Sequence, residues 1–470
     1  MSDDKTLGKI CALWAGPVAA AAMGLTLSLA GLAAPACWTA AVTTLCAVWW
    51  IFEPVPIPAT SIIPFALFPL LGVLDHKQVA RGYGDSTILL FMGGFMIAQA
   101  VEKSGTHRRL ALGMVKAVGG KGGRRLVLGF MLAAVVLSMW ISNTTTTLML
   151  LPVALAVLEQ TDDQQRKVLS VPLMLSLCFG ASIGGIGTPI GTPPNIIFIG
   201  TYTKVVGKGF SFLQWMKIAI PVMVIMTPIT WLWLTRKLGK ARAVVIPDLG
   251  PWRFEEVGVM IVFVLTALAW IFRADPFGGW SGLIHASGVG DSTVALTAVV
   301  VMFLWPNGRS GRLLDWKKAS EIPWGVLLLF GGSLTIADAF ETSGLSRAIG
   351  SSLTGLSTWP MLAMMTTLAV SAGFLTNIMN NTAMAALLMP LLAAAGKSTG
   401  LDPILLMMPT VLSVSFAFML PIGTPPNAIV YGTGHVSIRD MAREGFMINL
   451  VGAAVVTIIC YLLLPVFIKV

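Results

Sequence analysis

The chain has 470 residues, of which 56% are hydrophobic and only 11% charged. Its mean hydropathy of +0.83 excludes an ordinary soluble domain, where about a quarter of the residues carry charge. The net charge of +10 does not mark a nucleic-acid binder, because the basic residues occupy short loops between apolar segments instead of a face interleaved with aromatics.

Apolar blocks at 8–33 and 36–52 open the chain. The first is longer than a signal-peptide core and follows Met-Ser-Asp-Asp, acidic where a signal is basic, so it is expected to be a membrane helix. Blocks at 56–74 and 85–102 follow, and then 126–158, whose middle holds Ser142-Asn143-Thr144-Thr145-Thr146-Thr147. Consecutive polar side chains facing lipid are costly, so this block is expected to fold back as a re-entrant hairpin. Further blocks lie at 168–203, 213–235, 255–273, 290–306, 322–341, 358–396, 403–435 and 443–468. Trp49, Trp50, Trp215 and Trp231 are expected as anchors at the membrane interface. The five cysteines, Cys11, Cys37, Cys46, Cys178 and Cys460, lack metal-ligand spacing and are expected to pack among apolar side chains. The four histidines form no zinc or triad signature.

The chain is internally duplicated. Leu89-Leu90-Phe91, Gly93, Ile97-Ala98, Glu102 and Ser104-Gly105 recur as Leu328-Leu329-Phe330, Gly332, Ile336-Ala337, Glu341 and Ser343-Gly344, each 239 residues further on. Glu102 and Glu341, at equivalent helix ends beside Ser-Gly, are expected in capping or interfacial roles. The first copy is followed by Lys103, Arg108, Arg109, Lys116, Lys121, Arg124 and Arg125, whereas the second is followed by Arg347 alone. That asymmetry predicts copies of opposite orientation in the membrane, with the basic loops, Arg236–Arg242 and Arg309–Lys318 included, on the cytoplasmic side. Inverted repeats are a recurring plan of secondary transporters, whose substrate site lies near the bilayer midplane where broken helices meet.

Two pairs of polar motifs carry the chemistry. The first half supplies Ser142-Asn143-Thr144 and the run Ser182 to Asn195, ending Gly191-Thr192-Pro193-Pro194-Asn195; the second supplies Thr376-Asn377, Asn380-Asn381-Thr382 and Gly423-Thr424-Pro425-Pro426-Asn427. Proline pairs break a helix, and glycine lets unwound backbone approach an ion closely. Unwound carbonyls and Ser, Thr and Asn side chains supply the hard oxygens that sodium prefers, and restarting helices aim N-terminal amides at an anion. Neither Val168–Thr203 nor Ala348–Gly396 contains Asp, Glu, Lys, Arg or His. Each helix end supplies only about half a charge, so a dianion held here needs co-bound cations, and sodium is the simplest choice.

At these residues the chain resembles the divalent anion/sodium symporter family, whose mark is a pair of Ser-Asn-Thr motifs at hairpin tips with paired Thr/Ser-Pro-Pro-Asn segments. The resemblance extends from about Glu53-Pro54 onward. It implies an all-α integral membrane protein of about 11 transmembrane helices plus two re-entrant hairpins. Inverted-topology repeats and elevator-type scaffold and transport domains complete the implied fold. Residues 1–52 would be N-terminal scaffold helices. The first repeat would span 53–245, scaffold to about 125 and hairpin and transport part at about 126–235; the second would span 246–470, scaffold to about 355 and transport part from about 356. A homodimer in the lipid bilayer, in a bacterial inner membrane, is implied, with no nucleic acid, no organic cofactor and no enzymatic reaction.

The resemblance also implies one sodium site around Ser138, Ser142, Asn143 and Gly191, and another around Thr376, Met379, Asn381 and Gly423, Met379 acting through its carbonyl. Substrate carboxylates would meet Ser142, Asn143, Thr144 and Thr192 on one side and Asn380, Asn381, Thr382 and Thr424 on the other. Asn380 stands where the family has serine, and Asn377 where an acidic residue is common, which places substrate length in question. The expected activity is import of C4-dicarboxylates (succinate, malate, fumarate) by sodium symport. Its competitors are exchange of dicarboxylate, citrate or sulfate within the family and, in another class, an anion channel.

Overall fold

The computed structural model describes residues 2–119, 122–207, 209–238, 250–274, 278–286, 288–352 and 359–468. Lys121, the expected basic loop beyond position 238, and the expected boundaries near 245 and 355 lie outside the described residues. Among the described residues there are helices and one isolated bridge, Pro306 with Arg312, and no strand.

Helices α1 (Ser2–Leu29) and α2 (Ala34–Phe52) form an antiparallel pair, and Gly16 packs so closely on Trp49 that a Cβ there would meet its ring. Three short helices, α3 (Ile57–Ser61), α4 (Ile63–Leu70) and α5 (His76–Tyr83), lead into α6 (Ser86–Ser104) and α7 (Thr106–Gly119). Asp75 starts α5 through a capping box with Gln78, and Asp85 caps α6, so that the amides of Lys77, Gln78 and Thr87 are met by carboxylates. Next come α8 (Gly123–Ser138), α9 (Asn143–Glu159), α10 (Asp163–Gly185), α11 (Pro193–Val206) and α12 (Phe212–Thr235).

The second half repeats the plan. Helices α13 (Phe254–Ile271), α14 (Gly279–Leu283), α15 (Asp291–Leu304) and α16 (Trp316–Ala319) precede α17 (Trp324–Thr342) and α18 (Leu345–Ser352). Then α19 (Met361–Leu375), α20 (Asn381–Thr399), α21 (Ile404–Val414), α22 (Pro425–Gly432) and α23 (Ile438–Ile468) mirror α8 to α12. The duplicated α6 and α17 are each 19 residues long, and the chain leaves both through glycine in the left-handed region, Gly105 and Gly344, each at φ 77°. Glycine takes that conformation without the strain a Cβ brings.

Nine helical stretches among the described residues are long and apolar enough to cross a bilayer; five shorter apolar ones include α9, α15, α19 and α21. Two of the four expected interface tryptophans are core residues instead. Trp50 and Trp215 are fully buried, and each indole finds an internal acceptor, the Ser61 hydroxyl at 3.1 Å and the Ile186 carbonyl at 2.7 Å. An indole buried with a satisfied N–H contributes its whole apolar face to packing, which outweighs an interfacial position. Four cysteines are buried and Cys11 is exposed; none is in a disulfide.

The basic loops gather at one end of the molecule. Lys103 pairs with Asp315 at 2.6 Å and donates to the Arg312 carbonyl at 3.1 Å, joining the last turn of α6 to the loop before α16. Arg124 donates to the Thr235 carbonyl at 3.1 Å, joining the start of α8 to the end of α12. The Lys103 ammonium beside Asp315 and the Lys318 amide that caps on it hold that carboxyl below its usual range.

Candidate functional site

Four helix breaks build the site, one at each motif. Helix α8 stops at Ser138 and α9 restarts at Asn143, with Ser142 as the cap whose Oγ accepts from the Thr145 amide at 3.2 Å. In the second half α19 stops at Leu375 and α20 restarts at Asn381, where Asn380 Oδ1 accepts from the Thr382 and Ala383 amides at 2.9 and 3.4 Å. The other two breaks, 186–192 and 415–424, end at Thr192 and Thr424, both extended at φ −147° and −145°. The proline pairs do not themselves break the helices. Pro193 and Pro425 occupy the first helical positions, where no N–H is needed and the ring's φ suits a helix start, so each break lies before its prolines.

Asn195 and Asn427 hold the unwound segments by the same geometry. Asn195 Nδ2 donates to the carbonyls of Gly185 at 2.9 Å and Thr188 at 2.7 Å. Asn427 Nδ2 donates to Ala417 at 2.7 Å and Leu420 at 3.1 Å. The acceptors lie 10 and 7 residues before the donor in both halves, so the duplication extends to single hydrogen bonds. Each asparagine is fully buried. Asn195→Leu or Asn427→Leu removes two hydrogen bonds from the unwound backbone, Thr188 and Leu420 keeping only the Gly191 and Gly423 amides at 3.4 and 3.2 Å, and is expected to destabilise the fold by about 2–3 kcal/mol, read as a lowered thermal midpoint of the purified protein in nanodiscs.

The four breaks converge on one cavity of about 430 Å³. Ser142, Asn143, Thr144 and Thr145 line it from the first break, and Gly191, Thr192 and Pro193 from the second. Asn380, Asn381 and Thr382 face them from the third, with Thr424, Pro425 and Pro426 from the fourth. All eight residues expected to meet substrate therefore share one wall. So do the caps and first residues of α9, α11, α20 and α22, which brings four positive helix ends to one place. Two of those ends begin with consecutive prolines and offer no amide at their first two positions, so side chains and the ends of α9 and α20 carry most of the donors.

Beneath the cavity lies a cradle of oxygens. A Cβ on Gly191 would stand 2.4 Å from the Gly185 carbonyl, 2.9 Å from that of Ser138 and 3.0 Å from that of Met139. The Asn143 amide oxygen accepts from Ser138 Oγ at 2.6 Å and lies so near Gly185 that a Cβ there would come within 2.5 Å. Carbonyls of three residues thus surround Gly191, and the Asn143 amide oxygen, bonded to the Ser138 hydroxyl, lies beside Gly185, a neutral hard-oxygen set suited to an alkali cation. Among the described residues no group of three or more His, Cys, Asp or Glu is placed to hold a metal.

The second half is looser. A Cβ on Gly423 would meet the Thr376 carbonyl at 3.3 Å and the Ala417 side chain at 3.0 Å, while Asn381 Oδ1 accepts from Thr382 Oγ1 at 3.3 Å. The Thr376 hydroxyl is engaged with the Val414 carbonyl at 2.8 Å, leaving its own carbonyl as the group available beside Gly423. Ser138, Thr376, Met379 and Gly423 do not line the cavity.

Asn377 does not line the cavity. It is buried, donates to the Gly373 carbonyl at 2.7 Å and accepts from the Met419 amide at 2.7 Å. A carboxylate has no proton for Gly373, so the amide suits this clamp. Asn380, by contrast, lines the cavity with its oxygen committed to the helix cap.

The opposite wall was not anticipated. Phe95, Ala98, Gln99 and Glu102 of α6 line it, with Glu321 and Val326 before and within α17. The Gln99 amide oxygen is buried without a partner. Glu102, expected to cap or face the interface, pairs with Lys318 at 3.1 Å, and the same ammonium reaches Glu321 at 2.7 Å. One cation between two acids thus marks the mouth, at the end where the basic loops gather. The repeat itself was the available signal, since Glu102 recurs as Glu341.

A helical fold crossing a bilayer around a central polar cavity of paired helix breaks defines a membrane transport protein. Residues 9–468 match the transmembrane region of the sodium:sulfate symporter family. The chain belongs to that family, the divalent anion/sodium symporters, and is an integral protein of a bacterial plasma membrane. It is 35% identical, over 98% of its length and 92% of the relative's, to the sodium-dependent dicarboxylate transporter SdcS of Staphylococcus saprophyticus. It is 36% identical to SdcS of Staphylococcus aureus strain MRSA252 over 91% of its length and 85% of that protein. In fold it is similar to the YdaH transporter of Alcanivorax borkumensis (TM-score 0.57, 15% identity, 84% of this chain and 87% of that one). MtrF of Neisseria gonorrhoeae, from a class of antimetabolite efflux pumps, is similarly related (TM-score 0.59, 13% identity, 83% and 84% covered).

Proposed function

We propose that this chain imports C4-dicarboxylates such as succinate, malate and fumarate by sodium symport. The observation that carries the reading is the convergence of Ser142-Asn143-Thr144 and Asn380-Asn381-Thr382 on one cavity beside a neutral oxygen cradle. The two ends of a dicarboxylate then meet hydroxyl and amide donors from both repeats, and sodium at Ser138, Ser142, Asn143 and Gly191, with a second ion at Thr376, Met379, Asn381 and Gly423, offsets its charge. The names of the SdcS relatives support dicarboxylate as the substrate class and sodium as the driving ion.

The sequence and its resemblance further support a re-entrant hairpin at α8–α9 and another at α19–α20, an elevator-like movement of the elements bearing the breaks, and a homodimer. The cavity mouth lies among the basic loops, so by the positive-inside rule this conformation faces the cytoplasm.

Labelled succinate uptake into proteoliposomes tests the reading. Uptake is expected to saturate, to show counterflow, and to collapse when choline replaces sodium. Uptake indifferent to that replacement but driven by internal citrate or sulfate would make the protein an exchanger, and single-channel currents would make it an anion channel.

A further inference from the structure

The side of the cavity opposite its mouth is closed by contacts that the repeat makes legible. Adding 239 to the cavity-facing Phe95, Ala98, Gln99 and Glu102 of α6 gives Leu334, Ala337, Asp338 and Glu341 of α17. The same duplication relates α9 to α20 and α11 to α22. Helix α6 looks across open space at the first turns of α9 and α22, whereas α17 packs directly on the corresponding α20 and α11. The volume that is cavity on one side is filled with protein on the other.

That packing is close. Gly200 of α11 lies where a Cβ would stand 2.5 Å from the Phe330 ring and 3.4 Å from the Leu334 side chain. Ser333 Oγ donates to the Ala386 carbonyl of α20 at 2.8 Å, and Ala337 is buried. Two ion pairs fasten the margin: Lys204 at the end of α11 to Asp338, and Lys397 at the end of α20 to Glu341. Lys204 also donates to the Leu334 carbonyl at 3.4 Å. These lysines are the first charged residues after the two uncharged runs, Val168–Thr203 and Ala348–Gly396. The charges therefore begin where the broken-helix elements meet α17.

We infer that Lys204–Asp338, assisted by Lys397–Glu341, is a latch that keeps this face shut while the cavity is open at its present mouth, and that parts when the cavity opens on the other side. The inference rests on the carrier reading above. In the reciprocal conformation α6 packs on α9 and α22, and the positions of α17 now buried line the cavity in its place.

The test uses Cys11→Ser protein in nanodiscs, since the other native cysteines are buried, with a bulky polar maleimide as probe. Ala98→Cys, on the open wall, is expected to label and Ala337→Cys, its repeat partner, to resist. Adding Lys204→Met or Asp338→Asn is expected to raise labelling of Ala337→Cys by about fivefold, the shift in equilibrium given by a half-buried pair worth about 1 kcal/mol. Labelling of Ala98→Cys falls only by the population transferred, and the exchanged pair Lys204→Asp with Asp338→Lys restores the original pattern. Lys397→Gln, at a more exposed pair, shifts the pattern the same way and guards against misfolding at the inner one. Unchanged labelling of both reporters in folded Lys204→Met, Asp338→Asn and Lys397→Gln protein overturns the latch. Labelling needs no transport, so a shifted pattern in protein that ignores succinate and sodium would overturn the substrate reading and leave the latch standing.

Discussion

Succinate uptake by the Asn143→Ala and Asn381→Ala variants is expected to fall by about 100-fold or more, to the level of empty vesicles. Each asparagine is the first residue of a restarting helix and lines the cavity. Each also turns an amide oxygen toward a hydroxyl, Ser138 Oγ in one half and Thr382 Oγ1 in the other. In the proposed site one side chain serves ion and anion together. Its removal takes a ligand from the cation and a donor from the carboxylate, and two losses of about 1.5 kcal/mol each already give a factor of about 100. Neither change touches the Asn195 and Asn427 clamps, so the thermal midpoint is expected to move by only a few degrees. The assay is initial uptake rate at saturating sodium beside a melting curve on the same preparation; wild-type rates from either variant would remove the site assignment.

The second large effect separates the two halves. Gly191→Ala is expected to abolish sodium-dependent uptake, whereas Gly423→Ala is expected to retain much of it. The added methyl at position 191 would sit 2.4 Å from the Gly185 carbonyl and about equally near the Ser138 and Met139 carbonyls at 2.9 and 3.0 Å. Real Cβ atoms do not come so close to backbone oxygens, so the cradle must spread, and a cation held by four or five oxygens loses its geometry. At position 423 the nearest approaches are 3.0 to 3.3 Å, which a shift of a few tenths of an ångström relieves. Uptake as a function of sodium concentration distinguishes the outcomes: Gly191→Ala should show no sodium activation, and Gly423→Ala a modest rise in the half-saturating concentration. Full sodium activation in Gly191→Ala would mean that the tighter cradle is not a cation's seat.

The motif chemistry was legible because polar residues at membrane depth have few structural uses. The polar run Ser142–Thr147 inside an apolar block announced a fold-back, whereas the capping roles of Ser142 and Asn380 emerge only from the folded chain. The duplicated glutamates and the Thr-Pro-Pro-Asn pairs likewise fixed which segments correspond. Less legible was the wall supplied by α6, since Gln99 and Glu102 lie in a run whose composition resembles any amphipathic span. Burial of Trp50 and Trp215 was misread because interface preference is a statistical tendency, whereas their N–H groups found acceptors at Ser61 and at the unwound Ile186. The place of Asn377 was hidden for a similar reason, because its hydrogen bonds are internal and only tertiary contact reveals them. The span count also resisted reading: α19 and α21 are too short to cross alone, and no hydropathy window reports which helices pair across a break.

The charge-free walls of α9, α11, α20 and α22 bear on the return half of a transport cycle. In the proposed carrier these four walls bring no ionised side chain of their own to the cavity, so moving them through a low-permittivity layer with the site vacant incurs little Born self-energy. A pocket holding a bare dianion, or lone sodium, is penalised by the same physics. In the proposed cycle only the vacant and the neutralised forms travel readily, so the membrane's own dielectric helps to suppress leak.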